Sequence, residues 1–308
     1  MIFVFSEDNE TSFEILAEAR KLADSSKSKI AAISFGGGED DYIAGGADII
    51  LSINIEPHED SVVEGISQLI DQYNPEILLI GSTKFGREVA PRIGQRFGAG
   101  CATDCIDFSK DNENLIVKRL VLGGRFIATQ RFLRKPRIAT VPPRRFEKNI
   151  DKSRKGEIIK ISFYPAETRV QVMETKKKAP QEMRIEEANI IVSVGRGLKK
   201  KEDLKLIEAL ANVFGGAMGC SRSIAVDLKW LPEEHWVGLS GHKVNPRLYI
   251  AIGISGQVQH IAGIRDSRTI IAINKDPNAP IFKACDYGIV GDLYDIVPRL
   301  TEILKKQS

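Results

Sequence analysis

The chain has 308 residues, 43% of them apolar and 28% charged, with a formal net charge of +3 and an isoelectric point near 8.5. Those proportions suit a globular protein of about two domains. They exclude a nucleic-acid surface, because the densest basic run, Lys176 to Lys178, stands beside Ala179 and Pro180 and reads as a solvated linker.

Four cysteines, at 101, 105, 220 and 285, show neither CxxC spacing nor a neighbouring histidine cluster, so no disulfide framework and no metal site is expected. The apolar run at residues 2–5 is too short for a signal or a membrane span. A reducing, cytoplasmic location without membrane insertion is the expectation.

Residues 2–5 form an apolar run that ends in a polar loop, and Phe13, Ile15, Leu16, Ala19 and Leu22 then recur at helical spacing. A second strand at 29–35 closes in Gly36 to Gly38, a triple glycine without the Lys-Ser/Thr of a P-loop. Apolar runs at 47–53 and 76–81 flank an amphipathic stretch carrying Val62, Val63, Ile66, Leu69 and Ile70. Repeated β-α units of this kind predict a parallel sheet with helices on both faces. The segment 87–97 predicts a helix that either receives an anion or is capped by Ser82 or Thr83.

From Ala102 the pattern becomes short and β-like. Runs at 105–108, 115–121, 126–132 and 137–141 predict antiparallel strands added to the edge of the first sheet, and Pro142 with Pro143 stops regular structure. Residues 144–187 are charge-rich, with β-branched runs at 157–161 and 169–173. A domain boundary is placed near Arg184, where a clean apolar strand at 189–194 follows. The domains are thus 1–184, an amino-terminal α/β domain ending in a charged linker, and 185–308, a second, doubly wound α/β domain.

That second strand runs into Gly195, Arg196 and Gly197 and then a predicted helix over 198–214. The third glycine of a dinucleotide fingerprint is missing, its place being taken by Lys200; Arg196, held between glycines at a strand end, can reach a phosphate in bidentate fashion. A small-residue run at 215–220 leads to Ser221 and Arg222, whose cation could face developing negative charge on a flat ligand. Trp230 and Trp236 read as loop-packing aromatics.

The segment 248–274 carries the main signal. Apolar residues 248–252 are followed by a turn at Gly253 to Gly256, a helix-compatible stretch with Gln257, Gln259 and His260, and a second apolar run at 269–273. In an open parallel sheet this geometry leaves the N–H groups of Ser255, Gly256, Gln257 and Val258 free for an anion. Asp292, before the final helix, stands where an N-cap would.

Residues 195–199, Ser221 with Arg222, 251–260, 273–282 and 286–290 together resemble the alpha subunit of electron transfer flavoprotein. Ala102 to Cys105, Gly123 with Gly124, and 137–142 carry a looser likeness in the first half. The resemblance implies FAD in the second domain and contact of the first with a beta subunit. It implies that Arg196 and Ser255 to Val258 bind the pyrophosphate, and that Ser221 and Arg222 lie by the isoalloxazine. Val237, Gly238, Leu239 and Ser240 would line the ring with the Ser240 hydroxyl near N5. Gln259 and His260 would sit by the ring and ribityl chain, His260 toward O2 and N1. Asn274 and Asp292 would lie near the adenosine end, with Leu293 among the cofactor contacts.

The chain departs from the family pattern in two places: residues 239–242 read Leu-Ser-Gly-His where Gln-Thr-Gly-Lys is usual, and Val194 replaces a glycine. The resemblance further implies an electron carrier without a substrate of its own. It would take electrons from dehydrogenases and pass them to a quinone reductase or other acceptor through a stabilised flavin semiquinone, tuned by Arg222, His260 and Ser240. The alternatives are an electron-bifurcating, NADH-oxidising complex and a non-redox nucleotide-binding module. A mobile FAD domain would suit the break at 176–184.

Overall fold

The computed structural model describes residues 1–35, 39–55, 57–111, 114–122, 126–163 and 185–307. The triple glycine at 36–38, Gly123 and Gly124, the expected strand at 169–173, the lysine run at 176–178 and the expected boundary near Arg184 lie outside them. The chain separates into two compact units, Met1–Thr175 and Lys176–Ser308.

In chain order the first unit contains β1 (Ile2–Phe5), α1 (Asn9–Asp24), β2 (Ile30–Phe35), α2 (Glu39–Ala44), β3 (Ile49–Ile53), α3 (Glu59–Tyr73), β4 (Ile77–Gly81), α4 (Lys84–Arg96), β5 (Cys101–Ala102), β6 (Cys105–Asp111), β7 (Asn114–Val121), β8 (Phe126–Arg131), β9 (Arg137–Val141) and β10 (Glu157–Ile161). Seven of these strands form one parallel sheet in the order β10-β3-β2-β1-β4-β9-β5. Strand alternation sorts the core into two layers. Ile2 and Val4 of β1 pack with Ile15, Leu16 and Ala19 of α1 on one face. Phe3 and Phe5 pack with α3 and α4 on the other.

The expected antiparallel additions are corrected in two ways. β6, β7 and β8 pair antiparallel with one another as a separate three-stranded sheet, not at the edge of the first. The segment 137–141 is β9, a parallel strand between β4 and β5. All five residues of β9 are buried, as an interior parallel strand covered on both faces requires. β6 and β7 instead alternate, sending Cys105, Phe108, Leu115 and Val117 into the α1 layer. At α4 the two readings of its start resolve to a cap: Thr83 Oγ1 accepts the Gly86 N–H at 2.9 Å.

The second unit contains β11 (Ile190–Val194), α5 (Leu204–Val213), β12 (Ala217–Cys220), β13 (Leu248–Ile252), α6 (Val258–Ile264), β14 (Ile270–Asn274), β15 (Tyr287–Val290) and α7 (Leu293–Gln307). Its five strands are all parallel in the order β12-β11-β13-β14-β15. α5 and α7 cover one face and α6 supplies Ile264 to the other, so the sheet is doubly wound as expected. The helix expected over 198–214 is shorter. Leu198 is buried, the Lys199 N–H donates to Tyr294 Oη at 2.8 Å, and a 3-10 turn at Lys201–Asp203 precedes α5. The Lys200 backbone is extended, at φ −137° and ψ 153°, and so breaks the helix between Leu198 and α5.

This strand order reverses direction between β11 and β13. The loop after β11 runs to one side and the loop after β13 to the other, leaving a crevice at the carboxyl edge where open α/β sheets take their ligands.

Candidate functional site

The floor of the crevice is two crossing glycine turns. The Gly197 N–H donates to the Gly253 carbonyl at 3.0 Å, and Gly195 N–H to the Ile252 carbonyl at 2.9 Å. A Cβ on Gly197 would come within 2.7 Å of Gly253 Cα, so only glycine allows the approach. Gly256, at φ +84°, passes so close to Ile281 that a Cβ would lie 2.2 Å from its nitrogen. Leu293 is buried beneath, its Cδ2 about one contact distance from both turns, at 3.3 Å and 3.1 Å from the positions such Cβ atoms would take at Gly197 and Gly253. It supports the floor from the core.

The N–H groups of Ser255, Gly256, Gln257 and Val258 have no hydrogen-bond partner among the described residues. Ser255 uses only its carbonyl, which accepts from the Ile281 N–H at 3.1 Å. Arg196 and Arg222 are exposed and make no ion pair among the described residues. Two uncompensated guanidinium groups and four unsatisfied donors at one sheet edge suit an anionic, phosphate-bearing ligand.

Arg222 opens a short π-helix, Ser223–Asp227, directly after β12, and the neighbouring Ser221 holds its hydroxyl 2.9 Å from that of Ser223. Val237 returns to the sheet by donating its N–H to Cys220 at 2.9 Å. The loop from Gly238 to His242 then closes on itself, Gly238 N–H to the His242 carbonyl at 3.0 Å, while the Leu239 N–H reaches the Gln259 carbonyl at 2.8 Å. Gly238 packs against Gly263 of α6 so tightly that a Cβ on Gly263 would meet Gly238 at 2.7 Å. Val237 and Gly238 are buried; Leu239, Ser240, Gln257, Val258 and Gln259 are exposed. Leu239 and Val258 are thus apolar side chains left uncovered beside unpaired donors, a mixture that fits a flat, partly apolar ring.

His260 points inward instead. It is 6% exposed, and its Nε2 lies 3.0 Å from the hydroxyl of Tyr249. Burial brings its pKa down to about 4, so the imidazole is neutral at pH 7 and Arg222 is the cation of the pair singled out in the sequence. Asn274 spends its side chain on the fold: Nδ2 donates to the Ile254 carbonyl at 2.9 Å and Oδ1 accepts the Asp276 N–H at 3.0 Å. Asp292 Oδ1 accepts the Tyr294 N–H at 2.9 Å and so caps α7.

Two supporting residues escaped the sequence reading. Tyr249 lies under His260, and Tyr294 ties the Arg196 turn to Asp203. Trp236, read from the sequence as a loop-packing aromatic, packs against the 237–242 loop, its carbonyl accepting the His242 N–H at 2.8 Å. Tyr249 did carry a signal, since a phenol inside an aliphatic strand needs a polar partner. Among the described residues no group of His, Cys, Asp and Glu could hold a metal ion, and no helix is long and apolar enough to cross a membrane.

A doubly wound parallel sheet with a glycine-floored switch point, free turn donors and two unpaired arginines defines a dinucleotide-binding domain. Residues 184–265 match the electron transfer flavoprotein FAD-binding domain, and residues 3–166 match the electron transfer flavoprotein domain. The electron transfer flavoprotein subunit alpha of Thermoanaerobacterium thermosaccharolyticum is 40% identical, over 99% of this chain and 98% of its own. That of Megasphaera elsdenii is 36% identical, over 100% and 97%. The acryloyl-CoA reductase electron transfer subunit beta of Anaerotignum propionicum is 34% identical, over 99% and 95%. The chain belongs to the electron transfer flavoprotein alpha subunit family, and its second unit carries that family's FAD-binding domain.

The residues present fit FAD. The free donors at 255–258 and the Arg196 guanidinium suit a pyrophosphate, and the close glycine contacts pack the two turns that carry them against neighbouring backbone. The chain is accordingly an electron transfer subunit of this family.

Proposed function

We propose that this chain is the FAD-holding subunit of a heterodimeric electron carrier, paired with a beta subunit through its first domain, residues 1–184. It takes electrons from dehydrogenases and delivers them to a quinone reductase or another acceptor. The observation that carries the reading is the pair of uncompensated arginines, Arg196 and Arg222, at the rim of a glycine-floored switch point.

Bound FAD supplies reversible one- and two-electron transfer. The chain's own residues hold and bias it. Arg196 and the N–H groups of Ser255, Gly256, Gln257 and Val258 grip the pyrophosphate. Ser221, Arg222 and Val237 to Ser240 face the ring, with Arg222 placed to stabilise added negative charge and the Ser240 hydroxyl to hydrogen-bond at N5. Gln259 contacts the ribityl side, Asn274 and Asp292 shape the adenosine end, and Leu293 supports the glycine turns from beneath. His260 acts as a neutral group, because its burial opposes a charge.

The four free cysteines suit the reducing, cytoplasmic setting proposed for the carrier. Co-expression with a beta-type subunit, followed by a visible spectrum and a flavin count, tests the whole reading. One flavin per heterodimer is expected of a simple carrier, and a colourless pair that binds ATP instead would support a non-redox nucleotide module. A second reading, a bifurcating pair that oxidises NADH, is favoured by the 34% likeness to a subunit named for acryloyl-CoA reductase. It requires two flavins per heterodimer.

A further inference from the structure

Among the described residues Tyr249 is the largest of the fully buried side chains, and it sits in β13 among Leu248, Ile250, Ala251 and Ile252. A phenol in such a core must find a partner for its hydroxyl, and the partner here is His260 Nε2 at 3.0 Å, with the rings 6.0 Å apart and inclined at 57°. Both groups are uncharged. Burial raises the phenol's pKa and lowers that of the imidazole to about 4.

Two neutral groups can share this bond in two ways. Either the phenol donates to Nε2 and the ring proton stays on Nδ1, or Nε2–H donates to the phenol and the phenol's own proton must go elsewhere. The neighbouring polar group is Ser193, buried on β11 on the same sheet face, since Ile191 pairs with Tyr249 and Ser193 with Ala251. Its Oγ makes no hydrogen bond among the described residues, so it does not receive the phenol's proton. On the imidazole, the Val237 backbone favours the protonated ring, as a carbonyl beside an N–H does. With Nε2 accepting from the phenol, Nδ1 is the nitrogen left for the neutral ring's proton; it is buried and has no hydrogen-bond partner among the described residues.

We infer that Tyr249 is a positioning residue: its hydroxyl donates to His260 Nε2 and holds the imidazole as the single neutral tautomer protonated on Nδ1. The consequence reaches the ring segment through the backbone. The His260 N–H donates to the Gln257 carbonyl at 2.9 Å, and the adjacent Gln259 carbonyl receives the Leu239 N–H at 2.8 Å. A fixed imidazole therefore fixes the first turn of α6, the donors at 255–258 before it, and the Val237 to Ser240 segment hung from it. The inference rests on the reading of this crevice as the FAD site.

The test uses the full-length chain with its beta-type partner and 15N-labelled histidine, the His260 resonances being assigned by loss in His260→Gln. The wild-type ring is expected to show a protonated Nδ1 and an unprotonated Nε2. Tyr249→Phe should convert this to a mixture of tautomers and shift the first reduction potential of bound FAD while flavin content is retained. Ser193→Ala should leave the tautomer unchanged, because serine does not receive the phenol's proton. A wild-type ring protonated on Nε2, a Ser193→Ala variant that switches tautomer, or a folded Tyr249→Phe variant identical to wild type would each overturn the inference. The wild-type spectrum and Ser193→Ala decide the matter even where Tyr249→Phe does not fold. A pair that takes up no flavin defeats the FAD reading alone, since the tautomer is read without the cofactor.

Discussion

Tyr294 donates its hydroxyl to Asp203 Oδ2 at 2.6 Å, joining the first turn of α7 to the 3-10 turn before α5. The same oxygen accepts the Lys199 N–H at 2.8 Å, and the Lys199 ammonium stands 5.0 Å from the centre of the phenol ring. One side chain thus anchors the exit of the turn that presents Arg196. Tyr294→Phe removes both bonds at once. We expect a stability loss of about 1–2 kcal/mol and FAD binding weakened several-fold, measured by urea unfolding and by flavin fluorescence titration.

Arg222→Ala should leave FAD bound, because the pyrophosphate grip lies elsewhere, and should lower the first reduction potential. A loss of one charge interaction worth about tenfold corresponds to roughly 60 mV for a single electron. A dithionite titration in which the potential matches that of wild type would remove Arg222 from its proposed role.

Arg196→Ala should have the opposite profile. Flavin potentials stay near those of the parent, while the dissociation constant rises by about tenfold, the modest end for a charge-assisted contact from an exposed side chain. Equilibrium dialysis against FAD reads the change.

Gly256→Ala tests the turn itself. The residue sits at φ +84° and the added methyl would overlap the Ile281 nitrogen, so strain and collision act together. Destabilisation of about 2 kcal/mol or more and loss of flavin are expected; a thermal melt equal to that of the parent would contradict the packing described for this turn.

His260 makes stability depend on pH. Its folded pKa, about 4, lies below the ordinary value of 6.5, so between those values the unfolded chain binds the extra proton and folding weakens as the solution is acidified. The stability present above pH 6.5 should fall by up to about 3 kcal/mol on the way to pH 4. His260→Gln should flatten that part of the profile in urea titrations taken across the range. An unchanged slope would show that other groups account for it.

Much of this architecture was legible in the residues. Continuous apolar runs such as 2–5 and 76–81, separated by helical stretches, announced parallel β-α units, and Gly253 to Gly256 announced a turn at the carboxyl end of a strand. The segment 137–141 was misread, because a five-residue apolar strand looks the same at a sheet's edge and at its centre until its partners are known; pairing with β4 and β5 decides it. The helix expected from Leu198 is interrupted at Lys200, whose backbone is extended, and the turn before it is tied to Tyr294, 95 residues away in the chain.

His260 shows the same division. Beside Gln257 and Gln259 it reads as one more polar group at the turn, yet the helical rotation of α6 sends it into the core against Tyr249. Local sequence determined the strands, the glycine turns and the family, because backbone conformation and hydrophobic period are set by near neighbours. Only the tertiary structure decided which polar groups face outward as ligands and which are spent on the fold, as at Asn274 and Asp292. That choice depends on hydrogen bonds and desolvation between segments far apart in the chain.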